Sequence, residues 1–397
     1  MKLAAQLANL GTETAFAVAA MAAKHRANGG EVFPFHLGDL NIPPPEPIVR
    51  AAARAIKNGK NGYCPGAGAP LLREQLARVL GIERGIKLTP ENISVQPGGK
   101  PVIGKFLSAL TDPGDEVLYP LPGFPIYASQ IRYLNRIAKP YRYHAKTGGG
   151  FVLDTEAMRK AVSSKTRALI FNNYHNPTGA AASKDEIAEI AAIARDNDLW
   201  LLSDDAYNHI RYEGAYDSIA SLPNMLERTI TLFTCSKQFA MTGWRLGAAV
   251  APKDVADAIS RFNTNMESCT AHFIQQAVGE VLRDESLPPL ITPLVKELQA
   301  RRDMLISALQ KIDGIIATAP PSGFYVYADI SGLLRRKNLP NADALMRESL
   351  AKTGVSFCTG EHFGEDADTK HIRFAFSGIS ADDIKRGIAV WQEWINE

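Results

Sequence analysis

Between residues 92 and 237 the chain alternates short apolar runs with stretches long enough for a helix, and the runs stop at polar residues. Residues 92–96 read as a strand, Pro97-Gly98-Gly99 breaks it, and Lys100–Leu110 carries a helical pattern. Strand candidates follow at 116–119, 168–172, 200–203 and Thr229–Thr234. Between them lie the turn Asn176-Pro177-Thr178-Gly179 and a helical pattern over Lys184–Asp196. This spacing predicts βαβ units, hence an α/β fold around a mostly parallel sheet held between helices. In such sheets ligands bind beyond the carboxyl ends of the strands. Asn176, Asp204 and Lys237 each lie just past such an end, so position alone marks them as candidates.

A length of 397 residues exceeds one small core, and a large domain with a smaller α/β partner is expected. A helix over about 280–309 should open the smaller domain, with strands at 323–330 and 371–376. Pro43-Pro44-Pro45 marks the connector into the large domain. The expected division is an N-terminal segment, 1–45, packing with the small domain; a large domain, 46–285; and a small C-terminal domain, 286–397. Gly148-Gly149-Gly150 reads as a flexible surface turn without function.

Composition removes several function classes. Lys and Arg number 44 against 42 Asp and Glu, and 44 − 42 = +2, so no global field draws nucleic acid or an anionic membrane. Cys64, Cys235, Cys269 and Cys358 are widely spaced, without a Cys-x-x-Cys pair or a Cys/His cluster. Neither a metal site nor a disulfide framework is expected, and a reducing, cytoplasmic compartment is the simplest reading. At the start of the chain Gln6, Asn9, Thr12 and Glu13 interrupt the apolar core a signal peptide needs, so an amphipathic helix over about 14–27 is expected instead. No apolar run approaches the roughly 18 residues of a membrane span.

Chemistry concentrates in Ser236-Lys237-Gln238-Phe239-Ala240-Met241-Thr242-Gly243-Trp244-Arg245-Leu246-Gly247. A lysine at a strand end among apolar neighbours is unusual, because burial disfavours its charged form. Arg245, eight residues on, is placed to return to the same site as a bidentate phosphate partner. This run closely resembles the signature of the class I/II aminotransferases, fold type I of the pyridoxal-phosphate enzymes. The resemblance extends over essentially the whole chain, through Asn176-Pro177-Thr178-Gly179, through Asp204 to Tyr207, and to the late arginine Arg373.

The resemblance implies a role for each residue. Lys237 would carry pyridoxal 5'-phosphate as a Schiff base and then act as general base and acid at the substrate Cα. Asp204 would pair with the pyridinium nitrogen and keep the ring an electron sink; its plainer alternative is a helix N-cap. Tyr207 and Asn176 would hydrogen-bond the phenolic oxygen. Gly99 and Lys100 would offer backbone N–H groups to the phosphate at a helix N-terminus, with the Thr234 and Ser236 hydroxyls and Arg245 completing that cradle. Phe124 would stack on the ring, worth about 0.5–1.5 kcal/mol beyond burial, unless it is a simple core aromatic. Gly38 would lie near the substrate, and Arg373 would fork onto its α-carboxylate, the alternative being an ion pair within the small domain. Tyr63 would reach the phosphate of a neighbouring subunit, which implies a homodimer with shared sites; otherwise it is a surface tyrosine.

Two departures stand out. Gly38-Asp39-Leu40-Asn41 replaces the family's Gly-Glu-Pro-Asp or Gly-Gln-Pro-Asp, which leaves the loop's shape open. Lys100 stands where small hydroxyl residues are common, and Lys105, on the same helix, is expected to be solvated, the alternative being a place near the substrate. The activity implied is ping-pong transfer of an amino group between an L-amino acid and a 2-oxo acid. β-Elimination on the same site is the nearest rival. A non-catalytic cofactor-binding regulator would carry a DNA-binding domain ahead of a family-like region that here begins almost at residue 1. Nicotinamide binding lacks a Gly-x-Gly-x-x-Gly after a strand, since Pro65-Gly66-Ala67-Gly68-Ala69-Pro70 reads as a proline-flanked loop. The sequence leaves the amino donor unnamed.

Overall fold

The computed structural model describes residues 2–11, 15–364 and 368–397. Eight strands form the main sheet: β1 (Ile93–Gln96), β2 (Glu116–Leu121), β3 (Ile137–Ala145), β4 (Phe151–Leu153), β5 (Thr166–Phe171), β6 (Trp200–Asp204), β7 (Thr229–Thr234) and β8 (Gly247–Val250). Their spatial order is β1-β8-β7-β6-β5-β2-β3-β4. The central run β3-β2-β5-β6-β7 is parallel, and both flanks are antiparallel.

Successive residues of the parallel strands enter opposite cores. Val117, Ile170, Leu202 and Ile230 meet Val102, Phe106 and Ile259 of the helices Lys100–Leu110 and Lys253–Met266. Leu118, Leu169, Phe171 and Leu201 meet Ile187, Ile190 and Ala194 of the helix Lys184–Asp196. With both faces covered, these strands read as unbroken apolar runs, which is why they were legible. The flanks were not. β8 is only Gly247-Ala248-Ala249-Val250, too small to signal a strand, and it pairs antiparallel with the strand expected at 92–96. β3 carries Lys139, Pro140, Arg142 and His144, because it lies next to the sheet's end.

The helix expected over about 280–309 is two helices, His272–Asp284 and Leu287–Leu309. Glu285 is extended, Ser286 takes the N-cap position, and Pro288 sits in the first turn, where its missing N–H costs nothing. The second sheet is antiparallel, β9 (Tyr325–Asp329), β10 (Cys358–Thr359) and β11 (His371–Ala375), in the order β9-β11-β10. Its core gathers Phe357, Phe374, Phe376 and Trp391, and also Val18, Phe33 and Phe35 from the start of the chain. The N-terminal helix spans Ala15–Ala27, so Thr14, like Thr12 and Glu13, lies outside the described residues. The turn Gly148-Gly149-Gly150 runs past Thr318: a Cβ on Gly149 would come within 2.4 Å of its side chain. Among the described residues no helix is long and apolar enough to cross a membrane.

Candidate active site

A cleft of about 590 Å³ opens over the carboxyl ends of β5, β6 and β7, and segments 37–39, 362–363 and Arg373 close its far side. β7 is buried throughout and ends in Thr234, whose hydroxyl accepts from the Ser236 amide at 3.2 Å and caps the short helix Cys235–Gln238. That turn delivers Lys237 into the cleft. Its Nζ donates to the Gly38 carbonyl at 2.6 Å and lies 5.4 Å from the centre of the Phe324 ring. Gly38 has to be glycine, since a Cβ there would stand 2.1 Å from the Tyr325 hydroxyl.

An anion cradle lies beside this amine. Gly98 takes φ 95°, and the guanidinium of Arg245 rests on it so closely that a Cβ would meet Nη2 at 1.9 Å. Arg245 itself adopts φ 57° and donates to the carbonyls of Thr242 and Pro97 at 2.6 and 3.2 Å. Gly99 precedes the helix Lys100–Leu110, whose first N–H groups have no partner within the helix. The hydroxyls of Thr234 and Ser236, 3.0 Å apart, complete the group. Guanidinium, hydroxyls and helix N-terminus converge where side chains at residues 98 and 99 would obstruct them, as a bound phosphate requires.

Asp204 ends β6 at 6% exposure. Tyr127 donates to its Oδ2 at 2.6 Å and the Ala206 amide to Oδ1 at 3.2 Å. Burial nevertheless pushes its pKa up from 3.8 to about 6. A buried carboxylate with so few donors suits a cationic ring nitrogen. Asn172 Nδ2 donates to the Asp204 carbonyl at 2.9 Å, and the Asn176 amide donates to Asn172 Oδ1 at 3.0 Å, so one side chain ties the Asn-Pro turn to β6. The Tyr207 and Tyr325 hydroxyls are 3.0 Å apart.

Arg373 is 4% exposed on β11. It donates to Asn176 Oδ1 at 2.9 Å and to the His36 carbonyl at 3.0 Å, between the rings of Tyr325 and Phe363, 4.3 and 4.6 Å away. Among the described residues it forms no ion pair, and its Nε has no hydrogen-bond partner. A buried guanidinium without an anion is set to receive one.

The family model for aminotransferase class I and II matches residues 31–390.

The chain belongs to the class I and II aminotransferases.

It is 32% identical to the aspartate/prephenate aminotransferase of Thermus thermophilus over 373 residues, covering 94% of this chain and 93% of the relative. It is 33% identical to the aspartate aminotransferase of Musicola paradisiaca over 378 residues, covering 95% and 92%. The solved Thermus thermophilus aspartate aminotransferase with maleate superposes with a TM-score of 0.91 at 30% identity over 99% of both chains. N-succinyldiaminopimelate aminotransferase from Mycobacterium tuberculosis gives 0.91 at 27%, over 99% of this chain and 100% of that one. This aminotransferase is therefore a pyridoxal-phosphate enzyme of fold type I, and the cradle, the buried carboxylate and the strand-end lysine fit that cofactor.

Of the residues picked out by sequence, the aminotransferase brings Gly38, Gly99, Lys100, Phe124, Asn176, Asp204, Tyr207, Thr234, Ser236, Lys237, Arg245 and Arg373 to this cleft. Tyr63 stays outside it, 86% exposed. The Asp39-Leu40-Asn41 loop is pinned: Asp39 Oδ1 accepts from the Thr242 hydroxyl at 2.7 Å and Asn41 Oδ1 from Arg301 at 2.6 Å. Lys105 is a correction. It is 4% exposed, and its Nζ donates to Gln96, Asn263 and Glu267 at 2.9, 2.6 and 2.7 Å. Its helix face turns toward β1 and the helix Lys253–Met266 rather than to water.

Sequence reasoning missed Tyr127, Asn172, Tyr325 and Phe363. Tyr127 had one available signal, its place three residues after Phe124, which sets its hydroxyl a helical turn deeper. The others had none.

Proposed function

We propose that this aminotransferase takes its amino group from a dicarboxylic L-amino acid of the aspartate or glutamate type and passes it to a 2-oxo acid. The observation carrying this is one cleft in which the Lys237 amine, the Asp204 carboxylate and the Arg373 guanidinium, without an ion pair among the described residues, converge, with the exposed Lys100 as a second cation at its wall. The names of the relatives, aspartate and aspartate/prephenate aminotransferases, support the same donor class.

When bound, the cofactor supplies an aldehyde carbon for amine exchange and a ring that withdraws electrons from the substrate Cα. Arg245, Thr234, Ser236 and the Gly99–Lys100 amides would hold its phosphate, Asp204 would pair with its ring nitrogen, and Phe124 would pack on its ring. Tyr207 and Asn176 would hydrogen-bond its phenolic oxygen. Arg373 forks onto the substrate α-carboxylate and Lys100 takes the distal carboxylate, which together aim the Cα–H bond at Lys237. Lys237 Nζ, held by the Gly38 carbonyl, moves the Cα proton.

The working unit is a homodimer. Tyr63 is exposed between the helices Glu46–Lys57 and Pro70–Arg84 and does not line its own cleft, so it serves the partner's phosphate. The division at 45 and 285 has support in the Phe33–Pro34 pairing with Val355–Ser356 and in the helix break at Glu285. A cytosolic location goes with four cysteines of which none is in a disulfide.

Half-reactions with a panel of amino acids, read as loss of the cofactor's visible absorbance, test the donor. Aspartate or glutamate should react fastest in the wild type, and Lys100→Met should lose that preference while keeping cofactor. A wild-type preference for apolar donors would overturn the donor class. Mixing inactive Tyr63→Phe and Lys237→Ala proteins should regenerate one intact site per hybrid; a mixture that stays inactive would remove the shared site.

A further inference from the structure

Cys64 and Cys269 are remote in sequence and face each other in the fold. The Cys64 amide donates to Cys269 Sγ at 3.4 Å, and the Cys64 thiol donates to the Thr270 carbonyl at 3.6 Å. Gln275, wholly buried, clamps the two loops together. Its Oε1 accepts from the Ala69 amide at 2.7 Å, while its Nε2 donates to the Thr270 carbonyl at 2.7 Å and to Cys64 Sγ at 3.2 Å. Both cysteines are half-buried, whereas Cys235 and Cys358 are fully buried. Neither Cys64 nor Cys269 lines the cleft, and the transamination reading uses neither.

We propose that Cys64 and Cys269 form a dithiol site for low-molecular-weight disulfides, closing to an intrachain disulfide that fixes the Tyr63 loop. The exchange balances in two steps. The Cys269 thiolate attacks one sulfur of a disulfide RS–SR, a sulfur–sulfur bond forms, and RS⁻ leaves. Cys64 then gives up its proton and displaces the second RS⁻ from Cys269, so two protein thiols are oxidised and RS–SR is reduced to two RSH. Burial and the facing Cys269 sulfur push the Cys64 pKa up to about 11, which casts Cys64 as the resolving thiol rather than the attacker. Gln275 supplies the register. By holding both loops it keeps the two cysteines next to each other, which closure to a disulfide requires. Because Cys64 directly follows Tyr63, closure pins the residue assigned to the partner's site.

The test uses the holoenzyme with oxidised glutathione, quenched by alkylation and digested without reduction. One linked peptide, Cys64–Cys269 within a single chain, is expected. Alkylatable thiols after unfolding should fall by two from the 4 cysteines present, and dithiothreitol should restore them. Phenylarsine oxide, which bridges paired thiols, should protect the same two from alkylation. Cys64→Ser should leave glutathione trapped on Cys269, and limited proteolysis of the Tyr63 loop should slow only in the oxidised wild type. Unchanged thiols, glutathione persisting on the wild type without closure, or a cross-link between chains would each overturn the proposal. None of these readouts depends on the donor or on turnover, so a failure here is distinguishable from a failure of the transamination reading.

Discussion

Asp204 sits at the end of β6 with only the Tyr127 hydroxyl and the Ala206 amide to replace water around its charge. Its pKa is raised, so the sign of its effect on folding is set. The stability tied to its protonated form is fully present below 3.8 and is lost as pH rises through about 6. At pH 8 the ionised carboxylate costs the cofactor-free fold on the order of 2–3 kcal/mol. Cofactor-free Asp204→Asn should therefore melt above cofactor-free wild type at pH 8 and converge with it near pH 4. Thermal melts across that range check this, and a constant offset at every pH would locate the effect elsewhere. With cofactor bound the order at pH 8 should reverse, because the carboxylate then has a cation to face. Arg373 makes the complementary case. Arg373→Lys keeps the charge and loses the fork, so kcat/KM should fall roughly 100-fold, equivalent to about 2–3 kcal/mol of charge-assisted hydrogen bonding. Cofactor affinity and Tm should stay near wild type; a collapse of Tm with normal kinetics would make Arg373 a structural residue.

Among elements, the helix Lys184–Asp196 shows how local signals set a boundary. Ser183 Oγ accepts from the Glu186 amide at 3.2 Å, and Glu186 accepts from the Ser183 amide at 2.7 Å, a reciprocal cap. Ser183→Ala should cost about 1 kcal/mol by chemical denaturation and leave kcat unchanged, because this helix packs on the sheet face away from the helix that carries Lys100. Both this helix and Lys100–Leu110 were legible in full, since periodicity, caps and breakers act within a few residues. Lys105 was not legible. Its partners Asn263 and Glu267 lie 158 and 162 residues away, so nothing nearby announced that the position faces inward. Lys105→Met should cost about 1–3 kcal/mol, reduced because Glu267 is partly exposed. Asn263 also holds the Gly66 carbonyl at 2.7 Å, so the loop after Tyr63 should loosen with it. Hydrogen exchange at residues 64–69 would show that loosening, and unchanged protection there would confine the loss to the helix.

Across the whole molecule, the cleft was legible as strand ends, the family motif, Gly38 and Arg373, while the side-chain pairs that tie its walls together were not. Tyr325 joins Tyr207 across 118 residues, and Tyr127 joins Asp204 across 77; long-range pairs of this kind leave no local pattern. Arg373 has the widest reach. It stands on β11 of the three-stranded sheet and holds Asn176, which follows β5 of the eight-stranded sheet. A single guanidinium thus touches two separately packed layers, and it is a carboxylate seated there that would tie them at this seam. Occupancy becomes a mechanical quantity. A non-reacting dicarboxylate such as maleate at 100-fold excess over its Kd should add about 2.7 kcal/mol and draw the melting of both layers into one sharper calorimetric peak. A monocarboxylate of equal affinity that reaches only one layer should raise the temperature of melting without sharpening it, so the width of the transition, more than its midpoint, would report which ligands span the seam.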